Sequence, residues 1–212
     1  MSAIKKIDSR RVGIFGASGS GKTTKALDLI KNCKRLIVFD VLGDFAGKFK
    51  QFTNISELKR YCVYNYVKGF RVSFVPPYGE EAKALDELSL FIKTLQVGYK
   101  DNFHAVKLTL FVDELNRSFP LGYTREKPLN GFGFLCNQGR HYGVNLLGVS
   151  QRLSLVDMPF RSNLSDIYFF RFSDFNDIKA ACAIIGSQNR SKILDLKNYE
   201  YIYKSDKGVD IL

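Results

Sequence analysis

The stretch Gly16-Ala17-Ser18-Gly19-Ser20-Gly21-Lys22-Thr23-Thr24 follows the apolar run VGIF and opens a segment of helical pattern. Glycines let a backbone close tightly around a polyanion, so that its N–H groups and the next helix N-terminus face negative charge. The spacing Gly16-x-x-x-x-Gly21-Lys22-Thr23 is that of a P-loop. In such a loop Lys22 reaches the β- and γ-phosphates of a nucleotide, and Thr23 places its hydroxyl on Mg²⁺. All nine residues are therefore candidates for holding a triphosphate.

A second run, Leu108-Thr109-Leu110-Phe111-Val112-Asp113-Glu114, ends a buried-type strand in two carboxylates. Asp113 is placed to hold the Mg²⁺ shell, as the acidic residue of a Walker B strand does. Glu114 is placed to orient or deprotonate an attacking water, which is general-base work. The added glutamate points to hydrolysis by solvent; a kinase would hand the phosphoryl group to another substrate. Gln151, at the tip of a later strand, stands beside this pair as a γ-phosphate sensor or water-positioning group. His141 has no such task and is expected at the surface.

These residues need a frame. Apolar runs at 12–15, 36–39, 72–75, 108–112, 144–149 and 167–172 alternate with amphipathic segments at 21–32, 80–97 and 174–184. That alternation is the pattern of an α/β fold with a mainly parallel central sheet flanked by helices. Several runs are apolar on successive residues, as strands buried on both faces are. Ser173 is the expected N-cap of the third helix. Segments 199–204 and 209–212 around Asp206-Lys207-Gly208 predict a C-terminal β-hairpin. The aromatic run Tyr168-Phe169-Phe170-Arg171-Phe172 is expected as core strand. Segment 117–130 (RSFPLGYTREKPLN) is expected as a polar loop, whose Arg117, Arg125 and Lys127 are candidates for contacting a polyanion.

With 212 residues and no linker or repeat, one domain is expected over 1–212. No apolar stretch approaches the roughly 20 residues that span a bilayer, and the N-terminus is polar, so neither a transmembrane segment nor a signal peptide is expected. Cys33, Cys62, Cys136 and Cys182 lie far apart; with His104 and His141 they make no zinc pattern, and reduced, partly buried thiols are expected. The net charge of +11, spread as small groups such as Lys5-Lys6, Arg10-Arg11 and Lys34-Arg35, favours a polyanionic partner or an acidic membrane surface.

The segment GRHYGVNLLGVSQR (139–152), followed by Pro159-Phe160-Arg161-Ser162-Asn163 and the strand after it, resembles the FtsK/HerA group of DNA-pumping ATPases. Phe39-Asp40-Val41-Leu42-Gly43-Asp44 resembles that group's second strand running into an acidic turn. The resemblance implies a RecA-like, ASCE-type P-loop NTPase domain that uses ATP and Mg²⁺. By that resemblance the chain is expected to be close to a bare motor core and looks most like the genome-packaging ATPases of membrane-containing icosahedral viruses. The resemblance then implies a ring, hexameric by that likeness, pushing double-stranded DNA into a preformed capsid, with capsid or membrane vertex proteins as partners and the virion vertex or host cytoplasm as location. It also implies an arginine reaching a neighbour's nucleotide, with Arg140 and Arg161 as candidates and Arg152 behind them. Two other readings stay open: an assembly ATPase of the type that extrudes filamentous phage, and, from another class, a small nucleotide kinase.

Overall fold

The computed structural model describes residues 9–101, 103, 106–205 and 208–211. Among these described residues nine strands form a single sheet: β1 (Arg11–Phe15), β2 (Arg35–Phe39), β3 (Lys50–Phe52), β4 (Phe70–Phe74), β5 (Leu108–Val112), β6 (Val144–Ser150), β7 (Asp166–Phe170), β8 (Tyr201–Ser205) and β9 (Gly208–Ile211). Their order is β3-β4-β2-β5-β6-β1-β7-β8-β9. The first seven run parallel, and β8 and β9 turn back antiparallel at one edge. The expected hairpin is present; its residues Asp206 and Lys207, like His104 and the Lys5-Lys6 pair, lie outside the described residues.

Among the described residues ten α-helices accompany the sheet: α1 (Lys22–Ile30), α2 (Ile55–Tyr64), α3 (Glu81–Leu95), α4 (Val97–Lys100), α5 (Leu115–Ser118), α6 (Tyr123–Glu126), α7 (Gly131–Gln138), α8 (Met158–Arg161), α9 (Phe175–Ile185) and α10 (Arg190–Asp195). Side chains alternate across the sheet, since successive strand residues face opposite sides. Leu36 and Val38 of β2, with Ile14 and Phe111, pack beneath Ala26 and Ile30 of α1. Ile37 and Phe39, with Leu110 and Val112, join Leu85, Leu88 and Ile92 of α3 and Phe132 and Leu135 of α7. Every residue of β2, β5 and β7 is buried, as expected for strands covered on both faces.

Two expectations are corrected. The α9 cap is Asp174, one residue beyond Ser173: its carboxylate accepts the N–H groups of Asn176 and Asp177. Segment 117–130 is a solvated loop only in part: Phe119 is buried against Tyr123 and Phe132, and α5 and α6 structure it, while residues 125–129 stay exposed. Asp157 pins it in place by accepting N–H bonds from Gly122 at 3.0 Å and Thr124 at 2.7 Å. Arg117 forms an ion pair with Glu81 at 3.0 Å, whereas Arg125 and Lys127 remain exposed. His141 is exposed and Tyr168, Phe169 and Phe170 are core, both as expected.

Candidate active site

In a parallel sheet the strand carboxyl ends share one edge, and loops leaving that edge bring distant sequence together. The loop after β1 enters α1 there. Its glycines take backbone that side chains resist: φ is +154° at Gly16, +70° at Gly19 and +109° at Gly21. Gly16 N–H donates to Ser150 O of the neighbouring strand at 3.4 Å, and Ala17 N–H to Arg171 O at 2.7 Å, which anchors the loop from both sides. Ser18 and Gly19 form the exposed crown, and Thr23 and Thr24 are exposed at the start of α1.

Lys22 is almost wholly buried, and its ammonium donates to Ala17 O at 2.7 Å, spanning the loop from within. Burial lowers its pKa, while Glu114 and Asp113 pull the other way. The lysine and the carboxylates are therefore electrostatic neighbours. Asp113 N–H bonds Phe39 O of β2 at 3.0 Å, which places it at the same edge. Its carboxyl is pushed up to about 7 by burial, then by the charges of Glu114, Asp40 and Asp44. Asp40 is itself fully buried and accepts the N–H groups of Asp44 at 2.9 Å and Phe45 at 3.1 Å.

Glu114 sits in the left-handed region at φ 46°, unusual for a residue with a side chain. Its Oε1 accepts a 2.7 Å hydrogen bond from Gln151 Nε2 at the tip of β6. Next to it, Ser150 Oγ donates to Asn116 Oδ1 at 2.7 Å, so β6 and the segment after β5 are tied twice. The structure thus brings together Lys22, Asp113, Glu114 and Gln151, as the sequence predicts. Asp40 and Asp44 belong to the same charge cluster; their signal was the acidic turn, to which the sequence attached no role.

The candidate arginines are spread over different elements. Arg140 is exposed in the 3-10 turn Gly139–Tyr142 immediately before β6, at the strands' amino ends. Seven strand residues separate that edge from Gln151, about 20 Å. Arg161 ends α8 half-buried, with a 3.1 Å contact to Met158 Sδ and a buried Nε that lacks a hydrogen-bond partner. Arg152 is engaged within the chain, by Asp177 at 2.9 Å and Asp174 at 3.2 Å.

Among the described residues no three His, Cys, Asp or Glu side chains gather as a metal cage. Mg²⁺ does not need one, since it is commonly held by one or two protein groups together with substrate phosphates. An exposed threonine hydroxyl at a helix start and a buried carboxyl crowded by like charge fit that donor set. The four cysteines with their thiols free, two buried and two half-buried, take no part.

A glycine loop between strand and helix, with acidic residues two strands away on a mainly parallel sheet, defines the P-loop NTPase fold. Two solved structures of the genome-packaging NTPase B204 from Sulfolobus turreted icosahedral virus 2 are similar over nearly their full length. The complex with AMPPCP has a TM-score of 0.73 and 18% identity, covering 96% of each chain. The complex with ATP-γ-S has a TM-score of 0.72 and 17% identity, covering 98% of this chain and 97% of the other. The bacterial conjugative coupling protein TrwB is more distant, at TM-score 0.58 and 10% identity, covering 96% and 84%. Residues 1–57 match the model of the type IV secretion-system coupling protein DNA-binding domain. No curated protein sequence matches the chain.

Proposed function

We propose that the chain is an ATP-driven translocase that moves double-stranded DNA into a preformed viral capsid, acting as one motor domain. The observation that carries this reading is the Gln151–Glu114 hydrogen bond beside Lys22 and Asp113. It joins a water-activating carboxylate to a separate strand tip that can report phosphate state.

Residues Gly16 to Thr24 hold the phosphates through backbone N–H groups, with Lys22 turning from Ala17 O toward the β- and γ-oxygens. Thr23 and Asp113 would hold Mg²⁺, which when bound would neutralise phosphate charge and orient the terminal group. Glu114 takes the proton from the attacking water, and Gln151 fixes the orientation of its carboxylate. Loss of the γ-phosphate alters what Gln151 faces, and the doubly tied β5 and β6 tips carry that change into segment 117–130.

The likeness to B204, whose structure is that of a viral genome-packaging NTPase, and the coupling-protein match support DNA as the partner, and the net charge of +11 agrees. Arg140 lies about 20 Å from Gln151 along β6, too far to serve this chain's own loop, and would act on the nucleotide of a neighbouring copy, with Arg161 the other candidate, in a ring that the likeness makes hexameric. Capsid or membrane vertex proteins would dock that ring at the virion vertex. Among the described residues no helix is long and apolar enough to cross a membrane.

The test is ATP turnover with and without duplex DNA. Stimulation by DNA that declines steeply with added salt is expected. Phosphorylation of an added nucleoside, with DNA inert, would replace the motor by a kinase.

A further inference from the structure

Among the described residues two non-glycine residues have positive φ: Glu114 at 46° and Tyr199 at 72°. Backbone strain of this kind persists where surrounding structure enforces it, and it concentrates at functional sites. Glu114 flanks the phosphate loop on the β5 side. Tyr199 flanks it on the opposite side, in the turn between α10 and β8, and no motif foretold it.

Three tethers hold that turn. Tyr199 N–H donates to Ser20 O inside the loop at 2.8 Å. A Cβ placed on Gly21 would lie 2.8 Å from Tyr199 Cδ1, so the ring rests directly on the loop's last glycine. Asn198 Oδ1 accepts from Arg171 Nε at 3.2 Å, and Arg171 O accepts the Ala17 N–H. Despite this, Tyr199 is 69% exposed. Burial in a core therefore does not account for a strained, firmly held aromatic residue.

Topology supplies a task. The carboxylates and Gln151 mark the β5–β6 side of β1, while β7 and β8 lie on the other side. A nucleoside triphosphate lying along the loop with its reactive end at Glu114 directs its base toward β7 and β8, where the ring of Tyr199 faces solvent. We infer that Tyr199 is the platform of a nucleobase subsite, stacking on the base of the bound triphosphate. This rests on the reading of residues 16–24 as a triphosphate site. Stacking scales with ring area and tolerates different bases, so purine nucleotides bind more tightly than pyrimidine nucleotides, with modest discrimination between adenine and guanine.

Calorimetric titration of the full chain with Mg²⁺ and either ATP or inorganic tripolyphosphate tests the inference. Tyr199→Ala is expected to weaken ATP about tenfold or more while leaving tripolyphosphate, which has no base, unchanged. Tyr199→Phe and Tyr199→Trp are expected to keep ATP affinity within about threefold of wild type. Tyr199→Asn, which suits left-handed backbone, is expected to raise the melting temperature and still weaken ATP; a merely structural tyrosine would move both the same way. Unchanged ATP affinity in Tyr199→Ala, or equal losses for ATP and tripolyphosphate, would overturn the base subsite. If wild type bound neither ligand, or Lys22→Ala bound ATP as wild type does, the triphosphate site itself would be lost and the subsite with it.

Discussion

Asp113 and Asp166 are buried alike, at 6% and 5% exposure, and they stand at opposite edges of one sheet. At the carboxyl edge, burial and the neighbouring charge of Glu114 push Asp113 up to about 7. At the amino edge, burial also pushes Asp166 upward, but bonds from Arg10, Tyr203 and Ser165 outweigh it and hold the carboxyl below its ordinary value. Arg10 grips Asp166 through Nε at 3.1 Å and Nη2 at 2.5 Å. Nearby, Arg11 donates to Asn163 O at 2.7 Å and Cys136 O at 3.2 Å. At the amino edge the charge of Asp166 is matched within the chain. At the carboxyl edge Asp40, Asp44 and Glu114 crowd Asp113, and the buried Lys22 is the cation beside Asp113 and Glu114. Strain and like-charge crowding thus mark the edge proposed to react, and a paired carboxylate marks the opposite one.

The comparison can be broken at several points. Lys22→Ala carries the largest expected effect: nucleotide affinity falls about a hundredfold or more, measured by titration with an ATP analogue. Asp166→Asn is expected to lower the melting temperature by about 3–8 °C near neutral pH. A depressed carboxyl contributes stability that is present above its unfolded value, about 3.9, and is lost as pH falls through its lower folded value. The gap between wild type and Asp166→Asn should therefore close on acidification. Asp113→Asn acts in the opposite direction, raising the melting temperature of nucleotide-free protein by about 3 °C, because it removes a buried charge crowded by others. A fall instead would erase the contrast between the edges. Arg140→Ala is the mildest: melting temperature within about 1 °C of wild type, since surface positions change little, and nucleotide affinity unchanged. Turnover of the DNA-bound assembly should nonetheless drop, and undiminished turnover would remove Arg140 from the interface.

Strands with continuous apolar runs were legible because both faces are buried. Segments 36–39 and 108–112 match β2 and β5 to within a residue. The predicted 72–75 begins two residues late, because Arg71 belongs to β4 and sends its guanidinium to Ile30 O and Cys33 O. β3 left no signal: it is three residues long at the sheet's edge, and Lys50 and Gln51 are exposed. Helix α2 went unassigned although Asn54 caps it by accepting from Ser56 and Glu57 N–H. Ser173 and Asp174 are both good capping residues, and only geometry chose between them. Segment 117–130 looked polar by composition, whereas burial of Phe119 and Tyr123 decides its character.

The site divides in the same way. Lys22, Asp113 and Glu114 belong to local motifs whose spacing carries their chemistry, and Gln151 follows from being a strand tip on the same edge. Tyr199 was invisible because its place depends on β8 pairing antiparallel with β7, which returns a distant turn to Ser20 and Gly21. Chain order holds no trace of that approach.

The most direct test of the reactive edge is single-turnover phosphate release by Glu114→Gln, loaded with ATP and Mg²⁺ on duplex DNA. ATP should bind with wild-type affinity while the release rate falls by a factor of about 10² to 10⁴. Release at the wild-type rate would contradict the account, because the carboxylate bonded to Gln151 would then have no part in activating water.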